Sequence, residues 1–156
     1  MNLSENPYAS PSAPQHSPSQ LGDGQPVTPA GQGARLANFI IDYFAQFALG
    51  FVFGMALGIV GGEEGAAFLE TTPGFLLGIP ILLVYYFVFE ITTSRTLGKL
   101  ITGTKVVNEN GGTPTLGQIL GRTFCRLIPF EAFSFFGTPP RGWHDSLSKT
   151  YVVKSR

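Results

Sequence analysis

Two ionisable side chains, Arg35 and Asp42, fall on one face of the first strongly apolar stretch of the chain. Asp42 lies where lipid is expected. The stretch from Leu36 to Val60 reads LANFIIDYFAQFALGFVFGMALGIV, 25 residues with one formal charge. A helix of about 20 apolar residues crosses the hydrocarbon core of a bilayer. A carboxylate one or two turns inside such a helix costs roughly 2.5–3.5 kcal/mol to insert. It survives there only with a partner or in a polar cavity. At about 100° per residue, Arg35, Asn38, Asp42 and Gln46 share one stripe. Arg35 and Asp42 are two turns, ~10 Å, apart, too far to pair along the helix, so a third group must meet them. Two chemistries fit the stripe. One is a proton- or cation-handling carboxylate in a polar cleft; the other is a structural set of interhelical hydrogen bonds.

Other groups could complete the stripe. Glu90 sits near the end of a second apolar run. Arg122 and Arg126 are four apart and share a face if helical. They can serve as counter-charges for Asp42, Glu90, Glu131 or Asp145, or snorkel to lipid phosphates. His144 and Asp145 follow Trp143, but adjacent side chains point different ways on most backbones. No third ligand and no serine nucleophile accompany them, so they form neither a metal site nor a catalytic dyad by spacing. The plainer reading is an interfacial Trp beside a turn-capping Asp. The single cysteine, Cys125, excludes an intrachain disulfide and lacks metal-site spacing. No catalytic set, metal or cofactor is expected, and an enzyme is not.

The elements that must position these groups follow from composition. Residues 1–33 are rich in Pro, Ser, Gln and Gly, and half of the twelve prolines lie before residue 35. Such a segment cannot bury enough surface to offset its ordering entropy and is expected to be disordered. It has neither the basic start nor the apolar core of a secretory signal. Residues 34–156 are expected to form one membrane domain. Its first membrane helix spans about 34–60 and its second about 74–92, joined by a polar loop at 61–73 that carries Glu63, Glu64 and Glu70. Nine of the ten Lys and Arg residues lie after residue 92. Basic residues favour the cytoplasmic side. The N-terminus and the 93–115 segment are therefore expected inside and the Glu-rich loop outside.

Residues 94–103 read as an amphipathic piece lying on the membrane surface, with its basic groups reaching headgroups. The β-branched runs at 104–108 and 150–154 could pair as a small hairpin-like cytoplasmic cap. The third hydrophobic region, 116–137, is interrupted by Arg122, Arg126, Pro129 and Glu131. A full crossing would place the basic C-terminal tail outside, so a broken, re-entrant helix is expected. Gly50, Gly54 and Gly58 repeat every four residues, which lets a helix approach closely. Its partner would be Gly74 and Gly78 of the second span, or another copy of the protein. The fold expected is an all-α membrane protein with two transmembrane helices, a third broken helix and a small β cap. No basic stripe on a soluble domain points to nucleic acid.

RLANFIID, TLGKLITGTKVVNENGG, GRTFCR and RGWHDSLSKTYVV occur in that order. On these motifs the chain resembles the RDD family of small bacterial membrane proteins, over about residues 33–154. The family takes its name from one Arg and two Asp, which fall on Arg35, Asp42 and Asp145. The stretch between Arg126 and Arg141 is shorter than in longer relatives. The resemblance implies the bacterial inner membrane. It also implies a suspected transport role, with cation–proton exchange proposed for some members. It suggests that Arg35 pairs with Asp145 while Asp42, deeper, meets Arg122 or Arg126. Two functions stay open. One is a cation or proton transporter, or a subunit of one, with Asp42 as titrating group; two spans per copy then require an oligomer. The other is a scaffold assembling with its own copies, another membrane protein or anionic lipid, the Arg/Asp set being structural.

Overall fold

The computed structural model describes residues 20–21, 25–26, 28–137 and 141–155. Most of the expected disordered tail lies outside them. Within the tail, Gln20–Leu21 (β1) pairs antiparallel with Gln25–Pro26 (β2). The tail also ends earlier than its composition suggests, because residues 28–30 are built into the fold.

Helix α1, Gln32–Thr71, is longer than expected. Gly62 breaks it with φ 55° and ψ −135°, a conformation that favours glycine. The expected loop at 61–73 is thus mostly a second helical limb. Glu63, Glu64, Ala66, Ala67 and Leu69 are good helix formers, so the helix resumes once glycine has turned the chain. The limb folds back closely: a Cβ on Gly65 would come 2.2 Å from the Leu57 carbonyl oxygen. Helix α2, Gly74–Thr93, returns alongside and ends at Ser94 in the left-handed region. Both helices are long and apolar enough to cross a membrane. None of the most apolar stretch of α1 is buried within the chain, which is not how the core helix of a soluble protein sits.

The glycine repeat is not used between the two spans. Gly50 has ordinary contact with Ile81, while a Cβ on Gly54 or Gly58 would meet nothing within 4 Å. α1 and α2 splay around a groove of about 540 Å³, and Gly50, Gly54, Gly74 and Gly78 lie in its wall.

The cap closes the end of the hairpin where α1 begins and α2 finishes. Helix α3, Leu97–Thr102, is capped by Thr96 and stopped by Gly103. Strand β3, Thr104–Asn108, pairs antiparallel with β4, Thr150–Lys154, in the register Val106↔Val152. The Ala30 N–H donates to Val152 and the Lys154 N–H to Thr28, so residues 28–30 form a third edge. Alternation puts Val107 and Val153 into a small apolar core with Tyr151. On the other face, Thr104, Val106, Val152 and Thr150 are buried toward the helices.

The third hydrophobic region holds a short α-helix and a 3₁₀ helix. Helix α4, Leu116–Cys125, opens with a Thr115–Gln118 capping box. A 3₁₀ helix, Glu131–Phe136, follows. Ten residues of α-helix span only ~15 Å, too little to cross a bilayer. α4 turns Leu116, Leu120 and Phe124 outward and buries Ile119, Arg122 and Thr123. Helix α5, Trp143–Leu147, leads into β4.

Candidate functional site

The site lies where α1, α2, α3, α4 and α5 meet under the sheet. It begins with a close backbone contact. A Cβ on Gly98 would come 2.5 Å from the Asn38 carbonyl oxygen, so only glycine lets α3 settle on α1 here. That approach brings the start of α3 onto Asp42. The carboxylate accepts from the Tyr85 hydroxyl (2.7 Å), the Gly98 N–H (2.8 Å) and the Thr96 hydroxyl (2.6 Å). Neither Arg122 nor Arg126 reaches it, contrary to the sequence expectation. The glycine contact delivers three neutral donors to Asp42, and the arginines turn to a different acid. Asn38, one turn earlier, accepts from Thr102 and donates to Thr104 (3.1 Å), which ties α1 to α3 and β3. Gln46, one turn beyond Asp42, is half-buried and does not join the ion pairs.

Glu90 is the acid the arginines choose. It is buried near the end of α2 and meets Arg122 Nε (2.9 Å), Arg126 Nη2 (3.0 Å) and Lys99 Nζ (3.2 Å). The basic groups of 94–103 were expected to reach lipid headgroups. Lys99 instead turns inward, because α3 presents its polar side to Glu90. Burial pushes the Lys99 ammonium below its ordinary pKa, against the pull of Glu90. The guanidinium of Arg126 also lies over the Tyr86 ring, 3.9 Å from its centroid.

Asp145 is fully buried. Arg35 Nη1 meets its Oδ2, and Arg122 Nη1 lies 2.5 Å from its Oδ1. Arg122 therefore bridges Glu90 to Asp145 and touches the Thr150 hydroxyl as well. Burial would raise the Asp145 carboxyl, but His144, Arg122 and Arg35 hold it well below the usual carboxylate range. Burial would equally lower the Arg122 guanidinium, which Glu90 and Asp145 hold up. Asp145 is thus a member of a buried ion network rather than a turn cap. Arg141 donates weakly to the Asp145 and Thr150 carbonyls and stacks on Tyr151.

Glu131 pairs with His144. His144 Nδ1 meets Glu131 Oε1, and His144 Nε2 lies 3.3 Å from Asp145 Oδ1. Neighbouring His and Asp side chains do converge here, because the short turn of α5 brings both under α4. Burial and Arg126 push His144 down to about 4, against the pull of Asp145 and Glu131. Burial would raise Glu131, but the His144 hydrogen bond and charge bring it below its ordinary value.

Arg35, Asp42, Lys99, Arg126, Glu131 and His144 line a chamber of about 40 Å³, room for a few waters. Phe39, Tyr86, Arg126, Glu131 and Ala132 also line a crevice of about 310 Å³. The crevice shares Tyr43, Gln46 and Leu82 with the groove between the spans. A polar pocket thus adjoins an apolar groove through a mixed passage. Its groups can hold and exchange a proton or stabilise a small ion.

Sequence reasoning missed Tyr85, Thr96, Gly98, Lys99 and Thr150, and it weighed His144 only to set it aside. The TLGK motif carried a signal for three of them: Thr as a helix cap, Gly as a close approach, and Lys on the same face.

The RDD family model matches residues 29–148. The chain is 38% identical over 88 residues to a protein of Bacillus subtilis (strain 168) described as "Uncharacterized protein YxaI". That match covers 52% of this chain and 58% of the relative, so it spans just over half of that relative's length. No solved structure gives a significant match. Arg35, Asp42 and Asp145 all stand buried at the junction of the two spans and the cap. With two helices fit to cross a bilayer and a family model covering most of its length, the chain belongs to the RDD family of membrane proteins.

Proposed function

We propose that this domain is a transport unit for protons or a small cation in the bacterial inner membrane. One observation carries the reading: a chamber walled by titratable groups adjoins, through shared lining residues, a groove between the two spans. Ionisable residues at membrane depth line ion or proton pathways far more often than lipid-facing surface. Two spans cannot enclose a path, so the working unit contains more than one copy. The N-terminus and the cap lie in the cytoplasm, where the basic segment 93–115 favours them. The Glu63–Glu70 limb is outside. α4 and the 3₁₀ helix lie at the cytoplasmic interface, with Leu116, Leu120 and Phe124 in the bilayer. In this reading Asp42 forms the chamber wall.

A second reading has support of its own. Asp42, Glu90 and Asp145 are all internally paired, and Gly54 and Gly58 are open. A scaffold with a structural Arg/Asp set, assembling through the glycine face with a second copy or another membrane protein, needs only that much. Anionic lipid at the basic side is a partner in either reading. Flux in proteoliposomes separates the two. Cation-dependent proton flux in the wild type supports transport. Its absence across several cations and pH gradients leaves the scaffold.

A further inference from the structure

We infer that Glu131, His144 and Asp145 form a proton-exchange site in which His144 takes up the proton. The argument is one of donors and acceptors. Both ring nitrogens of His144 face carboxylate oxygens: Nδ1 faces Glu131 Oε1, and Nε2 faces Asp145 Oδ1 at 3.3 Å. A neutral imidazole has a single N–H. Either tautomer therefore leaves one bare nitrogen opposed to an oxygen that can only accept. One added proton turns that opposition into a second charge-assisted hydrogen bond.

The arrangement is built rather than incidental. The His144 backbone N–H also donates to Glu131 Oε1 (3.3 Å). The Ser134 hydroxyl donates to the Glu131 carbonyl (2.6 Å) and accepts from the Trp143 N–H (2.8 Å), which fixes the 3₁₀ helix against α5. A Cβ on Gly142 would come 2.9 Å from His144 Cε1 and 3.0 Å from Glu131 Oε1, so glycine leaves the imidazole its place.

The surroundings set how readily the proton is held. From α4, Arg126 and Arg122 repel it; from α1, Arg35 neutralises Asp145, and Asp42 faces across the chamber. From α3, Lys99 lines the same chamber, and from α2, Glu90 occupies Lys99, Arg122 and Arg126. Asp42, Glu90, Glu131 and Asp145 are thus matched by Arg35, Lys99, Arg122 and Arg126 while His144 is neutral. Arg141, on the Asp145 carbonyl, carries a further positive charge, and the added proton enters against it. The proton comes from hydronium in the chamber: an N–H bond forms on the ring, a water remains, and the charge of the three groups goes from −2 to −1. Nothing is oxidised or reduced. Glu131 and His144 line the chamber directly, which gives the proton its route.

This inference holds for either reading of function, and its test uses no flux. The full-length protein is labelled with ¹⁵N-histidine, placed in nanodiscs and titrated from pH 8 to 2 by NMR. Circular dichroism monitors the fold. The chain has two histidines, so a His16→Ala variant isolates the His144 signals. The expected result is a change from a single N–H tautomer to imidazolium, with a midpoint below the ordinary value for histidine. In Glu131→Gln, which keeps an acceptor but removes the charge, the midpoint falls by about one unit or more. Ring signals that stay neutral to pH 2 in folded protein overturn the proposal, as does a midpoint unmoved in Glu131→Gln. If the wild type unfolds before His144 titrates, Arg126→Gln is used instead. It removes the strongest repelling charge while Glu90 keeps Lys99 and Arg122, so the midpoint rises into the folded range. A neutral ring throughout that range also overturns the proposal.

Discussion

Gly98 rests on the backbone of Asn38, and a Cβ at Gly98 would lie 2.9 Å from the Asn38 Cα and 2.5 Å from its carbonyl oxygen. This contact sets the height of α3 on α1. It therefore decides which groups reach Asp42 and which side of Lys99 turns inward.

Gly98→Ala tests that dependence directly. The methyl group meets backbone, which cannot rotate away, so α3 must shift. The expected loss is about 1–3 kcal/mol, read as a lower melting temperature in detergent. Gly78→Ala, at a position with nothing within 4 Å, serves as the control and should change little.

Arg35 and Asp145 are coupled through a buried ion pair. Arg35→Ala and Asp145→Ala should each cost roughly 3–5 kcal/mol, because each leaves a buried charge short of a partner. The double mutant should lose less than the sum. Arg122 also holds Asp145, so Asp145→Ala should be the worse of the two singles. Unfolding in detergent measures all three, and additive losses would remove the pairing.

Asp42→Asn should destabilise the cap end of the spans without abolishing the fold. The carboxylate takes three donors, while an asparagine amide offers one oxygen and adds donors of its own. At least one of Tyr85, Thr96 or Gly98 is left without an acceptor, at about 1–3 kcal/mol. Proteolysis or hydrogen exchange at α3 should report it first. Exchange at α3 equal to that of the wild type would refute the cap role of Asp42.

Stability should fall as the medium becomes acid, in two stages. His144 has a folded pKa of about 4, below its ordinary value of ~6.5. The unfolded chain therefore binds more protons between those values, and stability drops as pH falls from ~6.5 toward 4. Asp145 and Glu131 are held below their ordinary values, so their contribution is present above ~4 and lost as pH falls through their folded values. His144→Gln should flatten the first stage and spare the second. Melting temperatures from pH 8 to 3 would show both stages, and a first stage that persists in His144→Gln would refute the assignment.

Gly54 and Gly58 make a separate forecast. A Cβ on Gly54 or Gly58 would meet nothing within 4 Å, so Gly54→Ala and Gly58→Ala should leave monomer stability within about 0.5 kcal/mol. If copies meet on this face, the same changes should dissociate them. Light scattering of the detergent complex decides, and an unchanged mass in both variants would place any assembly elsewhere.

The sequence by itself determined the spans and the identity of the charged groups. Apolar runs long enough to cross a bilayer leave little choice of element. A charge inside such a run must be received, which singled out Arg35, Asp42 and Glu90 at once. Interruptions at Arg122, Arg126 and Pro129 set the third region apart from the two spans. The β-branched runs foretold the strands, which the structure pairs with Val106 opposite Val152. The resemblance suggested Arg35 with Asp145, and only the tertiary structure decided the remaining pairings. Asp42 had several arginines within plausible reach along the chain, yet a glycine contact on Asn38 gave it neutral donors and sent the arginines to Glu90. Gly62 turned a presumed loop into a folded-back helical limb. His144 looked incidental beside Asp145 until α5 placed both of its nitrogens against acids. Pairings of this kind depend on distances across elements far apart in sequence, and a one-dimensional pattern of residue types does not encode them.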